Sequence, residues 1–274
     1  MAVLDRILTS HALFDANGMG RMVQSLCRFL GGAAMSPVHL RAVTEKIMGL
    51  SGHCANEQIQ AMITSVFLAV GGGNMAVPVR DILIGLIFDR FVETGNMPSE
   101  AIMRGTCAGL GGPDMRRSDI DAVLARIFGG YATCGGGGMG WAISGLCGAL
   151  GGPKMSSELR DLMLSTILGS SRIANSSNPF QRGRMIWGVV HALGGFTAGA
   201  KQLTEKNLHA VVEAILKAQA TCSTEHMSAM WRYLISTVGA PGVSSGERNL
   251  LVERFLESRD VDDILGWIKS IRRA

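Results

Sequence analysis

Aromatic side chains are scarce in this chain: they make up 5% of 274 residues, with two tyrosines and four tryptophans. That excludes a core held by stacked rings and leaves small and aliphatic side chains packed closely, a composition suited to helix laid on helix. Charge is also thin, at 18% against 47% hydrophobic residues, so the chain is not of the disordered class and can bury a sizeable core. No long apolar run is unbroken. The best uncharged stretch, Ile127 to Gly152, is interrupted by Gly129, Gly130 and the run Gly135 to Gly138. It cannot supply the roughly 20 continuous apolar residues of a membrane-spanning helix. Residues 1–9 include Asp5 and Arg6 and lack an apolar run with a small-residue cleavage site, so no secretory signal is expected there. None of the six cysteines lies in a C-x-x-C pair, and the expectation is a reducing, cytoplasmic setting without disulfides or zinc.

Catalytic motifs fail on context. Gly135, Gly137 and Gly140 fit G-x-G-x-x-G, which cradles a pyrophosphate only where a strand feeds a helix. Here the preceding pattern is helical and ends near Phe128, so a loop between repeats is expected. Gly242, Ser244 and Gly246 fit the nucleophile-elbow spacing, but no histidine follows His226 to complete the triad in its usual chain order. The pairs His53–Cys54 and Cys222–His226 lack further ligands nearby in sequence. The sequence therefore reads as a non-enzyme, with no catalytic residue, metal or cofactor expected.

What the chain does have is glycine, methionine and a repeat. Leu30-Gly31-Gly32, Val70-Gly71-Gly72, Leu110-Gly111-Gly112 and Leu150-Gly151-Gly152 recur every 40 residues, each followed by a methionine: Met35, Met75, Met115 and Met155. Before each glycine pair, apolar residues fall at i, i+3, i+4 and i+7, as in Val23, Leu26, Cys27, Leu30 and Ile143, Leu146, Cys147, Leu150. That spacing is one face of a helix, the first of each repeat. The glycines then supply the positive φ that ends it. A second helix follows, with Val43, Ile47 and Met48 matching Leu83, Ile87, Phe88 and their later equivalents. Cys27, Cys107 and Cys147 share one first-helix position and read as core, and the four methionines read as plugs between helices.

The expected fold is all-α: a right-handed α-solenoid of about six 40-residue two-helix repeats with capping half-repeats, forming one helical-repeat domain over 1–274. Its parts are an N-terminal cap helix (1–10), four regular repeats (11–170), an irregular repeat (171–220), a degenerate repeat (221–258) and a C-terminal cap helix (259–274). This pattern resembles the HEAT and armadillo class of helical repeats. Asp81, Asp121 and Asp161 are similar to the aspartate ladder of HEAT repeats, while Ile87, Ile127 and Ile167 stand where that class carries a basic residue. The resemblance implies an interaction protein, and some plant-pathogen effectors share the architecture.

The fifth repeat breaks the register, with three extra residues before its first helix and about five in its inter-helix turn. Residues 171–220 also hold six basic against two acidic side chains, while the segments on either side are balanced. Arg172, Arg182, Arg184, Lys201 and Lys206, with Trp187 and His191 four residues apart, are therefore the candidate partner-binding residues. The expected function is a non-enzymatic protein–protein interaction scaffold or adaptor whose partner is another protein with an acidic surface. RNA or DNA binding is one alternative, although Arg41, Asp81, Asp121 and Asp161 give no base-reading column. A bacterial effector exported to a host cell by a non-Sec route is the other.

Overall fold

The computed structural model describes residues 2–50, 52–92, 95, 97–130, 136–170, 179–195, 203–218 and 222–238, with isolated positions 246, 249 and 253. Within them lie twelve α-helices and no strand. The chain divides into two compact units, Met1–Gly152 and Pro153–Ala274. The first holds α1 (Ala2–Thr9), α2 (Ala16–Phe29), α3 (Pro37–Gly49), α4 (Asn56–Ala69), α5 (Val77–Val92), α6 (Glu100–Gly109), α7 (Arg117–Gly129) and α8 (Gly136–Ala149). The second holds α9 (Ser157–Gly169), α10 (Pro179–Val190), α11 (Glu205–Ala218) and α12 (Thr224–Val238). The sequence segment 259–274, expected as a cap helix, lies outside the described residues.

The same local chemistry punctuates each repeat. Gly31 and Gly32 take φ of 121° and 54°, and the three later glycine pairs repeat those values closely. Both belong to glycine's territory, so each first helix ends there and a short 3-10 turn carries the chain to the methionine. Met35, Met75, Met115 and Met155 are buried, which removes them from any recognition surface. Ser36 and Ser156 then accept the backbone N–H groups of His39 and Leu159, capping second helices. Asp15 and Ser99 do the same for the first helices α2 and α6. Cys27, Cys107 and Cys147 are wholly buried, and Thr106, which stands in the third repeat where the first has Leu26, donates its hydroxyl to the Ile102 carbonyl.

In the first unit, the first helices α2, α4, α6 and α8 pack each on the next, and α3 lies against α5. Glycine sets how close the first helices come. A Cβ on Gly105 would sit 2.7 Å from the Gln60 carbonyl oxygen, and one on Gly145 would sit 2.5 Å from that of Glu100. At Gly109 it would be 2.4 Å from Cβ of Phe67. These helices therefore touch backbone to backbone, and dispersion contacts replace the side-chain interlock of a wider helix pair. In the second unit Gly183 of α10 meets the Ala229 carbonyl of α12 in the same way, at 2.7 Å. The run Gly135 to Gly138, expected as a loop, differs: from Gly136 onward it is the first turn of α8. Glycine's low helix propensity is overridden because a Cβ on Gly138 would lie 2.8 Å from Cβ of Met97, so packing demands the residue that propensity disfavours.

Polar staples join the second helices. Arg80 of α5 donates through Nη1 to Asp119 of α7 at 2.7 Å, and Asp119 is wholly buried. Arg116 adds a second charged donor at 2.9 Å. In the other unit Arg160 of α9 donates to Asn207 of α11 at 3.0 Å. The two contacts are equivalent by register: the separation grows from 39 to 47 residues, and the difference of eight matches the three plus five residues inserted in the fifth repeat. Asp81, Asp121 and Asp161 are exposed and pair with Arg80, Arg117 and Arg160. Their partners come from the same helix, one or four residues earlier, and this is how the ladder is satisfied without a basic residue six positions on.

Candidate functional site

A first helix buries the face that carries positions such as Val23 and Cys27 and gives its flanks to the neighbouring first helices. What remains outward in the first unit is a strip through Arg21, Gln24 and Arg28 on α2, Gln60, Thr64 and Leu68 on α4, Arg104 on α6 and Trp141 on α8. Between α2 and α4 the strip deepens into a groove of about 520 Å³, lined by Arg21, Gln24, Glu57, Gln60, Thr64 and Leu68 among others. Arg104 lies over Gly148, where a Cβ would meet its guanidinium at 2.7 Å, and is held by Glu100 at 2.6 Å. Trp141 is 43% exposed and closes the strip at the α8 end.

The second unit carries the residues singled out in the sequence. Arg184, Trp187 and His191 lie on α10 and the turn after it, at i, i+3 and i+7. After the three-residue insertion they take the repeat positions of Arg21, Gln24 and Arg28. The Trp187 and His191 rings pack with centroids 4.9 Å apart, and Arg184 donates from Nε to the Tyr233 hydroxyl of α12 at 2.7 Å. Lys206 is exposed in the first turn of α11, on a different helix. Arg172 and Lys201 lie outside the described residues. A separate groove of about 560 Å³ runs between α9 and α11, with Leu164 and Leu168 at its base and Asp161, His209, Glu213 and Lys217 around it.

No family model, curated protein or solved structure matches this chain. Its function is therefore argued from its own side chains. Arg182 corrects the basic patch: it is wholly buried, and its charge is not offered to a partner at the surface. The reason is geometric, since residues two apart on a helix point about 200° from one another, and Arg184 takes the outward side. Nη1 of Arg182 instead donates to Cys222 Sγ at 2.6 Å. One turn beyond Cys222, the buried His226 places Nδ1 2.8 Å from the Ser223 hydroxyl. Among the described residues no helix is long and apolar enough to cross a membrane, and no three His, Cys, Asp or Glu side chains converge as metal ligands.

Burial, and secondarily the Arg182 charge, hold the His226 pKa below its ordinary 6.5, against a smaller opposing pull from Glu225. Between that depressed native value and 6.5 the unfolded chain binds the proton more readily than the native one. Stability therefore falls as pH drops below about 6.5 and is recovered as pH rises. Urea midpoints compared at about pH 7.5 and about pH 5.5 check this. His226→Gln is expected to flatten the acid-side decline relative to wild type, and an unchanged slope would remove His226 as its source.

Proposed function

We propose that this chain is a non-enzymatic interaction scaffold, a right-handed α-solenoid of the HEAT/armadillo kind, and that it holds a partner protein on the outward strip of its first helices. The observation that carries this reading is the glycine-lined approach of α2, α4, α6 and α8. Close backbone packing turns four short helices into one continuous surface, with a groove at one end and a tryptophan at the other. Stacked helix pairs gain their function from such extended faces, because each repeat contributes a few side chains in a fixed register. The outward side chains at equivalent positions differ from repeat to repeat: position 24 is Gln24, Thr64, Arg104 and, in the fifth repeat, Trp187. A rigid frame with varied outward residues suits recognition of one irregular protein surface better than a repeating polymer. Arg21 and Arg28 on the strip favour an acidic partner.

The test is affinity capture with and without nuclease, using wild type, Trp141→Arg, Arg21→Glu and the second-helix control Asp121→Lys. A protein partner held through nuclease, weakened by about tenfold or more in either strip variant and kept by the control, is the expected result. Equal retention by all four forms refutes the strip as the binding face, and loss of capture on nuclease treatment replaces a protein partner with nucleic acid.

A further inference from the structure

We infer that Cys222 is a thiol-modification site of this chain, one that takes peroxide and is converted to a sulfenic acid under the hand of Arg182. The described cysteines fall into distinct environments. Cys27, Cys107 and Cys147 are wholly buried in the first-helix core. Burial pushes the Cys27 thiol up to about 11 and that of Cys147 to about 12, and raises Cys107 further still, so none is a nucleophile in the folded chain. Cys54 is half-buried, and burial raises its pKa as well. Cys222 is half-buried too, but its sulfur accepts a hydrogen bond from a guanidinium. It is thus the one thiol among the described residues that is given a cationic side-chain donor, and charge that develops as sulfur attacks an electrophile is met by that guanidinium.

The second observation is Arg182 itself. Its side chain is wholly buried, yet Nε and Nη2 have no partner among the described residues. The residue that aims Nη1 at the sulfur thus carries two further donors in the same rigid plane. Nε2 of His226, on the helix that follows Cys222, is likewise buried and without a partner among the described residues. Leaving a buried charged donor unmade is costly, and an oxygen added to the sulfur supplies an acceptor beside it. In the step itself the thiolate attacks one peroxide oxygen. An S–O bond forms as the O–O bond breaks, the distal oxygen leaves as hydroxide and takes up, through solvent, the proton that the thiol had given up, so that water is released; sulfur is oxidised and the peroxide is reduced. The sulfenate oxygen then accepts from the guanidinium that had bound the sulfur. Oxidation adds bulk between Cys222 and α10, the helix that also displays Arg184 and Trp187.

The whole chain is treated with limiting hydrogen peroxide in the presence of a cyclic diketone that traps sulfenic acids, then unfolded and mapped by mass spectrometry. Cys222 is expected to be trapped at least about tenfold faster than Cys54, with Cys27, Cys107 and Cys147 unlabelled until the chain is unfolded. Arg182→Gln is expected to bring Cys222 down to the Cys54 rate while Cys54 itself is unchanged. Labelling of Cys222 no faster than Cys54 in the wild type overturns the inference, as does an Arg182→Gln variant that folds and keeps the wild-type ratio. Should that variant not fold, the wild-type ratio alone decides.

Discussion

Gly145→Ala lowers the stability of this protein by roughly 1–3 kcal/mol, while Gly85→Ala raises it by up to about 1 kcal/mol. Both glycines lie inside helices, and intrinsic propensity favours alanine at both. The difference lies in what the new methyl group meets. At Gly145 a Cβ would stand 2.5 Å from the Glu100 carbonyl oxygen and 2.6 Å from Cβ of Met103, and the first of these is backbone that cannot swing away. Helix α8 must therefore withdraw from α6, and dispersion contacts along the pair are lost with it. At Gly85 on α5 the nearest atoms are the ends of Arg126 and Asp89, at 3.5 and 3.7 Å, which is ordinary contact. Urea unfolding of the two variants beside wild type reads the sign directly. If Gly145→Ala were neutral or stabilising, the close approach of the first helices would not be the constraint that selects glycine there.

That pair also shows where sequence patterning stops. The turn glycines were legible because two of them recur at a fixed spacing and a helix end has a known use for positive φ, and Gly31, Gly71, Gly111 and Gly151 do take it. The helix-interior glycines carry no such local signal. Gly105, Gly145 and Gly183 owe their identity to a carbonyl on another helix, which no single-helix periodicity contains. Read locally, the run from Gly136 looks like a loop, and only its seat against Met97 explains a helix that begins with three glycines. The candidate site divides in the same way. Summed charge over residues 171–220 located a basic segment but could not tell an outward arginine from an inward one, and Arg182 and Arg184 face opposite ways on α10. The outward strip through Arg21, Gln60, Arg104 and Trp141 was written in the register all along. Its residues are chemically unlike one another, however, and pattern searches find sameness.

Asp119→Ala is expected to cost about 3 kcal/mol or more, because it strips a buried carboxylate from the charged donors Arg80 and Arg116 and leaves Arg80 with the exposed Asp81 alone. The chain contains its own apolar substitute for this contact. At the equivalent positions between the first and second repeats stand Leu40 and Val79. Arg80→Leu combined with Asp119→Val should therefore recover most of what Asp119→Ala loses, since a buried ion pair replaced by fitted apolar side chains is often close to neutral. A double-mutant cycle checks the coupling, and additive single effects would show that Arg80 and Asp119 do not act as a unit. The chain offers a polar substitute as well, for Arg160 meets an asparagine at the same register. Asp119→Asn rebuilds that pairing and keeps an acceptor for the guanidinium, so it should cost less than Asp119→Ala by about 1 kcal/mol or more. The expected order of urea midpoints, wild type above Asp119→Asn above Asp119→Ala, follows from treating the staple as one buried donor that must find an acceptor. An inverted order would mean that the contact contributes by packing alone.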